Sequence, residues 1–387
     1  MIAFLFSALL AAQTPAFASL PHPGGVQQDV VLTDYPSFAR ADELLRRTVS
    51  PLNVLQIRRQ LLQSGESLKE ESIEPKQERF VLYVPPGPPP PSGYALLVFV
   101  PPWEDARVPQ QWIPVLDRQH TIYVSAANSG NQASVFDRRE PLALIAEYNI
   151  ARRYPLDPAR IYVGGFSGGS RVALHLALGY PDIFRGALLD AGDDTIGGAQ
   201  LPLPPADLFH LFQQSTRLVY LSGTNDHGPV DRNDAGLENE ARPSAPPPGL
   251  FEAERQGAGV TLYMSGTDAS LHRDRTRAGR DSLQPWCVVN VDSIVMNGVG
   301  HEIADARSFD RALDVLSQAA QGEDGGIAAC RQRIQQAMHA QLQDARSLLD
   351  QNKPDEARKL LQQIDTQYGG LAAPQSVELM QKIDAAH

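Results

Sequence analysis

The most informative part of the sequence is Arg160-Ile-Tyr-Val-Gly-Gly-Phe-Ser-Gly-Gly-Ser-Arg-Val-Ala-Leu-His-Leu-Ala177. The run Ile161-Tyr-Val163 is typical of a strand, and the Ala- and Leu-rich run that follows Gly169 is typical of a buried helix. Between them, Gly165 to Gly169 matches G-x-S-x-G, the pattern of a sharp strand-to-helix turn that exposes a serine above a sheet. The pattern predicts Ser167 as a nucleophile. It also predicts the Gly168 N–H, at the helix start, as an oxyanion donor.

Strand and helix patterns alternate on both sides of this turn. This alternation predicts a doubly wound, mostly parallel sheet within an α/β domain that covers residues 79–320. Residues 19–78 carry apolar residues at helical spacing and are predicted as an N-terminal helical segment. The predicted strands are Phe80–Val84, Ala95–Val100, Thr121–Val124, Ile161–Val163, Gly186–Asp190, Leu218–Leu221, Val260–Met264 and one or two within Cys287–Met296.

The N-terminus has the pattern of an export signal. Ile2 to Ala12 is a continuous apolar run that is too short to span a bilayer, and Ala16-Phe-Ala18 matches an A-x-A cleavage site. We therefore expect residues 1–18 to be a signal peptide and the mature protein to be periplasmic or secreted. No later run is apolar enough over sufficient length to suggest a transmembrane helix.

The C-terminal residues 327–387 are predicted as a small helical tail with helices over about 327–350, 354–366 and 374–384. Ala345, Ala357 and Leu361 fall where a tetratricopeptide unit places small and apolar residues. One such unit cannot bury a solenoid core, so we expect the tail to pack on the main domain or on another chain. The second case would make it a surface for a protein partner or for self-association.

Composition limits the partners and cofactors. The chain has 387 residues, 42% of them hydrophobic, and a formal net charge of −11, which argues against nucleic acid or an anionic membrane as a main partner. Its two cysteines, Cys287 and Cys330, permit one disulfide, as expected in an oxidising compartment. No C-x-x-C pattern and no clustered histidines indicate a metal, and no cofactor is expected.

A nucleophilic serine requires a base and a carboxylate that orients the base. His301 is the strongest candidate base because it follows a strand through Gly298-Val-Gly300, at the sheet edge where open α/β sheets place their sites. Asp226 ends the Leu218–Leu221 strand in Gly-Thr-Asn-Asp and is the first candidate acid. Other carboxylates remain alternatives, first Asp268 beside the similar Gly266-Thr267, then Asp231 and Asp234.

Residues from about 79 to 320 resemble the secreted α/β-hydrolase esterases of the polyhydroxybutyrate depolymerase and feruloyl esterase type. The resemblance is carried by Tyr154-Pro-Leu-Asp-Pro158, by the G-x-S-x-G turn, by Gly223-Thr-Asn-Asp226 and by Gly298-Val-Gly-His301. It implies an α/β-hydrolase fold, a Ser167/Asp226/His301 triad and ester hydrolysis without a cofactor.

One stretch departs from this family. Members usually have His-Gly after the first central strand, and the N–H that follows is the second oxyanion donor, whereas this chain has Val100-Pro-Pro-Trp103. Proline has no N–H. The second donor would therefore be Trp103, or else Glu104.

The leading expectation is an exported serine esterase that acts on a small-molecule or oligomeric ester. A peptidase or an acyltransferase of the same fold is an alternative within the same chemistry. A non-catalytic binding protein with a hydrolase fold, which uses the helical tail as its interaction surface, is an alternative of a different class.

Overall fold

A computed structural model describes residues 24–226, 251–256, 259–264, 279–322 and 325–385. The predicted signal peptide, residues 1–18, lies outside this part of the chain, and so do Asp231, Asp234 and Asp268. No helix within the described ranges has the length and apolar character needed to cross a membrane.

The described elements are numbered in chain order. The strands are β1 Gly25–Val30, β2 Phe80–Val84, β3 Tyr94–Val100, β4 Thr121–Ala126, β5 Leu156–Phe166, β6 Gly186–Asp190, β7 Arg217–Gly223, β8 Phe251–Gln256, β9 Gly259–Met264 and β10 Val291–Met296. The helices are α1 Ala41–Thr48, α2 Pro51–Ser64, α3 Ile113–Arg118, α4 Glu140–Arg153, α5 Gly168–Gly179, α6 Ala206–Ser215, α7 Ala306–Leu316, α8 Gly325–Asp350, α9 Pro354–Tyr368 and α10 Gln375–Ala385.

Eight of the strands form one sheet in the order β1-β2-β4-β3-β5-β6-β7-β10. Strand β2 is antiparallel to both of its neighbours, and the strands from β4 to β10 are paired in parallel. Strands β8 and β9 form a separate antiparallel hairpin. This is the arrangement of an α/β-hydrolase sheet, and the predicted fold class is confirmed. The carboxyl ends of the parallel strands meet at one edge, where an open α/β sheet binds its ligands.

Helices cover both faces of the sheet because the parallel strands are apolar on both faces. Strand β3 shows this alternation: Leu96, Val98 and Val100 pack in the core that also buries α1, α4, α5 and α6. Its intervening side chains, Ala95, Leu97 and Phe99, pack in the opposite core with α3 and α7.

The sequence analysis did not predict strand β1. Gly25–Val30 lies within residues 19–78, which were predicted as an N-terminal helical segment, but the structure pairs it with β2 at the edge of the sheet. Helices α1 and α2 follow in the predicted N-terminal helical segment. Helix α2 begins with Pro51 and ends at Gly65, whose φ of 69° is the left-handed cap conformation that glycine favours.

The C-terminal helices α8, α9 and α10 pack on the body of the molecule, one of the two positions expected. Leu52 of α2 lies in the same apolar cluster as Leu361 and Ile383 of the tail. Asp365 of α9 accepts hydrogen bonds from the Leu52 N–H and the Ser50 hydroxyl, so a tail residue caps the start of α2. Burial raises the pKa of Asp365 to about 6.

A disulfide joins Cys287, which precedes β10, to Cys330 in α8, so the predicted pairing is confirmed. The Gly370 N–H also donates to the Leu203 carbonyl oxygen at 2.7 Å. The tail is thus attached to the body by a covalent bond, by hydrogen bonds from Gly370 and to Asp365, and by an apolar interface.

Candidate active site

Ser167 occupies the sharp turn between β5 and α5. Its backbone has φ 54° and ψ −123°, a conformation that non-glycine residues rarely adopt. Holding a residue in such a backbone conformation costs on the order of 1 to 3 kcal/mol, and these residues occur mainly at functional sites. The Ser167 N–H donates to the Asp190 carbonyl oxygen of β6 at 2.8 Å, which holds the turn against the neighbouring strand.

Two glycines make this turn possible because the backbone comes very close to its neighbours. A Cβ at Gly165 would overlap the Gly169 carbonyl group, and a Cβ at Gly169 would overlap the Val100 carbonyl oxygen at the end of β3. The start of α5 therefore lies directly against the loop that leaves β3.

The structure brings together the three side chains singled out in the sequence as nucleophile, base and first candidate acid. His301 Nε2 lies 2.9 Å from Ser167 Oγ, and His301 Nδ1 lies 3.0 Å from Asp226 Oδ2. An ionised carboxylate only accepts hydrogen bonds, so Nδ1 donates to Asp226 and Nε2 of the neutral imidazole accepts from the Ser167 hydroxyl. The His301 side chain is 27% exposed and that of Asp226 is 5% exposed, so solvent reaches the base and hardly reaches the acid.

The loops that carry the acid and the base are hydrogen-bonded to each other because β7 and β10 are adjacent parallel strands. The Asn225 N–H donates to the Val299 carbonyl oxygen at 2.9 Å, and the Gly298 N–H donates to Thr224 Oγ1 at 2.8 Å. Gly298 has a φ of 77°, which suits the tight turn before His301. These contacts fix the distance between Asp226 and His301.

Asp190, at the carboxyl end of β6, holds the other side of the His301 loop. It is fully buried, and its Oδ2 accepts a hydrogen bond from the Ala304 N–H at 2.8 Å. Burial raises the pKa of Asp190 to about 8, with a further contribution from the negative charge of Asp226. At neutral pH the group is therefore mostly protonated, and a second negative charge beside Asp226 is avoided.

The two predicted oxyanion donors lie on either side of the contact between the β3 loop and α5. Gly168 is the first residue of α5, so its N–H has no acceptor within the helix. The Trp103 ring centroid lies 6.1 Å from that of Phe166, which in turn lies 5.0 Å from that of His301. Phe166 thus lies between the Trp103 ring and the His301 ring.

Two residues of this region were not singled out in the sequence. Asp190 ends an apolar strand, and a carboxylate at the carboxyl end of a central parallel strand was the available signal. Arg139 is 3% exposed and donates to the carbonyl oxygens of Ser129 and Pro101. No local pattern distinguishes it from Arg138, which pairs with Glu78.

Comparisons with known proteins are limited to solved structures. No protein-family model matches the chain, and no curated protein matches its sequence. One similar structure is a putative dipeptidyl aminopeptidase IV from Bacteroides ovatus, with 13% identity, TM-score 0.40 and coverage of 64% of this chain and 35% of that chain.

Two esterase structures also match. A thermostable esterase has 16% identity and TM-score 0.36 over 63% of this chain and 60% of that one. LpqC, a poly(3-hydroxybutyrate) depolymerase from Bordetella parapertussis, has 18% identity and TM-score 0.38 over 65% of this chain and 88% of that one. The chain spans less than two thirds of the length of the peptidase and of the thermostable esterase.

Proposed function

We propose that this protein is a serine hydrolase that cleaves carboxylic esters, with Ser167 as nucleophile, His301 as base and Asp226 as the orienting acid. The observation that carries the proposal is the continuous chain of hydrogen bonds from Ser167 Oγ through both ring nitrogens of His301 to Asp226. A serine hydroxyl is a weak nucleophile at neutral pH, and a hydrogen-bonded, oriented imidazole is what activates it.

In the first half of the reaction, Ser167 Oγ attacks the ester carbonyl carbon while its proton passes to His301 Nε2. The carbonyl oxygen becomes an oxyanion. His301 then gives the proton to the leaving alcohol as the ester C–O bond breaks, and the acyl group remains on Ser167. Asp226 stabilises the imidazolium through the Nδ1–H and keeps the ring in the required orientation.

In the second half, a water molecule takes the place of the alcohol. His301 removes its proton, the hydroxide attacks the acyl-enzyme carbonyl, and the carboxylic acid leaves as Ser167 regains its proton. The 27% exposure of the His301 side chain is compatible with the entry of water from the solvent side.

The oxyanion of both tetrahedral intermediates is proposed to accept hydrogen bonds from the Gly168 and Trp103 N–H groups. Pro101 and Pro102 have no N–H to offer, so Trp103 is the first residue of the β3 loop that can donate. One oxyanion donor typically contributes a factor of about 100 to 1,000 in turnover.

We further propose that the substrate is a small-molecule or oligomeric ester outside the cytoplasm. The disulfide between Cys287 and Cys330 supports an oxidising compartment, because such bonds persist mainly in exported proteins. The preference for esters over amides rests on the residues that resemble secreted esterases.

The test is hydrolysis of a panel of p-nitrophenyl esters and peptide p-nitroanilides, together with labelling by a fluorophosphonate. We expect ester turnover and labelling in the wild type, and a loss of turnover on the order of a million-fold in Ser167→Ala. Ser215→Ala, which removes a hydroxyl bonded to the Leu211 carbonyl of α6, is the matched control and should retain activity. Absence of both labelling and turnover in the wild type would overturn the proposal, and faster turnover of the anilides would assign a peptidase instead.

A further inference from the structure

The loop that leaves β3 is held through its carbonyl groups. The Asn131 N–H donates to the Pro102 carbonyl oxygen at 3.0 Å, and the Asn128 N–H donates to the Glu104 carbonyl oxygen at 2.7 Å. Arg139 Nη2 donates to the Pro101 carbonyl oxygen at 2.9 Å. All three donors belong to residues 128–139, which we call the clamp segment.

Arg139 connects the β3 loop to Ser129, near the start of the clamp segment. It ends a single π-helical turn, Val135–Arg139, immediately before α4, and its side chain is buried. Its Nε also donates to the Ser129 carbonyl oxygen at 3.0 Å. One planar guanidinium thus bonds the β3 loop and the clamp segment at the same time, which a lysine ammonium cannot reproduce with the same geometry.

The charge of Arg139 is maintained despite its burial. Burial lowers the pKa of Arg139 to about 10, while the negative charges of Glu104 and Glu140 act in the opposite direction. The side chain is therefore cationic at neutral pH, and its hydrogen bonds to the two carbonyl oxygens are charge-assisted.

This way of holding the loop leaves its N–H groups available. Pro101 and Pro102 have none, and within the described part of the chain the Trp103 and Glu104 N–H groups have no hydrogen-bond acceptor. An oxyanion donor must lie about 2.7 to 3.1 Å from the developing charge, and a displacement of about 1 Å can cost a hundredfold in rate.

We propose that Arg139 is a positioning residue that sets the place of the Trp103 N–H in the oxyanion site by holding the Pro101 carbonyl group. The inference rests on the proposed function. Arg139 acts through the loop and does not touch the substrate.

The clamp segment also reaches the other proposed donor. A Cβ at Gly168 would overlap the Asn131 side-chain amide, so Asn131 packs directly against the start of α5. A Cβ at Gly130 would lie 2.9 Å from the Trp103 carbonyl carbon and would overlap the Glu104 carboxylate. The clamp segment therefore packs closely against both the β3 loop and the start of α5.

The test compares Arg139→Lys with Arg217→Lys, a matched control. Arg217 is also buried and also donates two hydrogen bonds, one to the Asp292 carboxylate and one to the Ala319 carbonyl oxygen, but it begins β7 at the amino ends of the parallel strands, away from the candidate site. For each variant we would measure kcat and KM on p-nitrophenyl butyrate, the Ki of a trifluoromethyl ketone that forms a tetrahedral adduct with the serine, and the melting temperature.

We expect Arg139→Lys to lower kcat by about 10- to 100-fold with KM changed less than threefold, and to raise Ki by the same factor as kcat falls. Arg217→Lys should lower the melting temperature comparably while kcat and Ki stay within about twofold of wild type. Equal kcat and Ki in Arg139→Lys and wild type would overturn the inference, and so would a rise in KM alone.

Gly130→Ala decides the case if Arg139→Lys does not fold, because it displaces the same loop while leaving Arg139 in place. A parallel loss of kcat and inhibitor affinity supports the inference, and an unchanged kcat refutes it. A wild type that neither hydrolyses the ester nor reacts with the fluorophosphonate refutes the proposed function itself, a result separate from an active wild type whose Arg139 is dispensable.

Discussion

The substitution Asp190→Asn should make the free energy of unfolding less dependent on pH. Asp190 is fully buried, and burial raises its pKa from 3.8 to about 8. An asparagine at this position retains an oxygen that can accept from the Ala304 N–H, and it has no proton to lose. The variant therefore removes the titration of this side chain while keeping its hydrogen bond.

The raised pKa of Asp190 determines whether the free energy of unfolding rises or falls with pH. Because the folded-state pKa is higher than the unfolded value, the stability contributed by protonated Asp190 is fully present below about pH 4 and is lost as the pH rises through about 8. Between pH 5 and pH 7 the unfolded chain is ionised at this position and the folded chain is mostly protonated. The wild type should therefore lose about 2 to 3 kcal/mol relative to Asp190→Asn over these two pH units.

Urea unfolding of both proteins at pH 5, 6 and 7 measures this difference directly. Two other buried carboxylates, Glu147 with a pKa raised to about 7 and Asp365 with a pKa raised to about 6, titrate in the same range. Their contributions are common to both proteins and cancel in the difference. Asp350→Asn, which replaces an exposed carboxylate at the end of α8, is the control for the substitution itself. A difference between wild type and Asp190→Asn that is constant from pH 5 to pH 7 would refute the reasoning.

Three other predictions concern the site and the tail. Asp226→Asn should lower kcat about 1,000- to 10,000-fold with little change in KM, because His301 loses the partner that fixes its tautomer; a kcat within tenfold of wild type in steady-state assays would exclude Asp226 as the acid. Replacement of both Cys287 and Cys330 by serine should lower the free energy of unfolding by about 4 kcal/mol in the chain-entropy model, since the bond spans 43 residues, and unchanged urea midpoints would contradict this. Asp365→Ala should lower the free energy of unfolding by about 1 to 2 kcal/mol because the start of α2 loses its cap, and a melting temperature equal to that of wild type would contradict this.

The parts of the fold that were predictable from the sequence are those with local signals. The apolar run of β3 and the strand–glycine–serine–helix pattern around Ser167 need only neighbouring residues to be recognised. The distance between Asp226 and His301 follows once β7 and β10 are known to be adjacent, because parallel strands bring their carboxyl ends together.

Features that depend on distant contacts were not predictable in this way. Strand β1 consists of Gly25-Val-Gln-Gln-Asp-Val30, in which no strong apolar alternation is present, and it becomes a strand by pairing with β2 about fifty residues later. The predicted tail helices agree closely with α8, α9 and α10, but their place on the body depends on contacts such as that of Asp365 with the start of α2. Local periodicity carries no information about such contacts.

The two prolines of the β3 loop have one effect that the sequence indicates and a second effect that only the structure shows. The sequence indicates that an expected N–H donor is missing, because proline has no N–H group. In the structure, each proline has its φ restricted by its ring and its carbonyl oxygen hydrogen-bonded by the clamp segment. Restricted backbone angles and fixed carbonyl groups together leave little freedom for the residue that follows. Pro101 and Pro102 thus offer no N–H group, and at the same time they restrict the position of the next N–H group, that of Trp103.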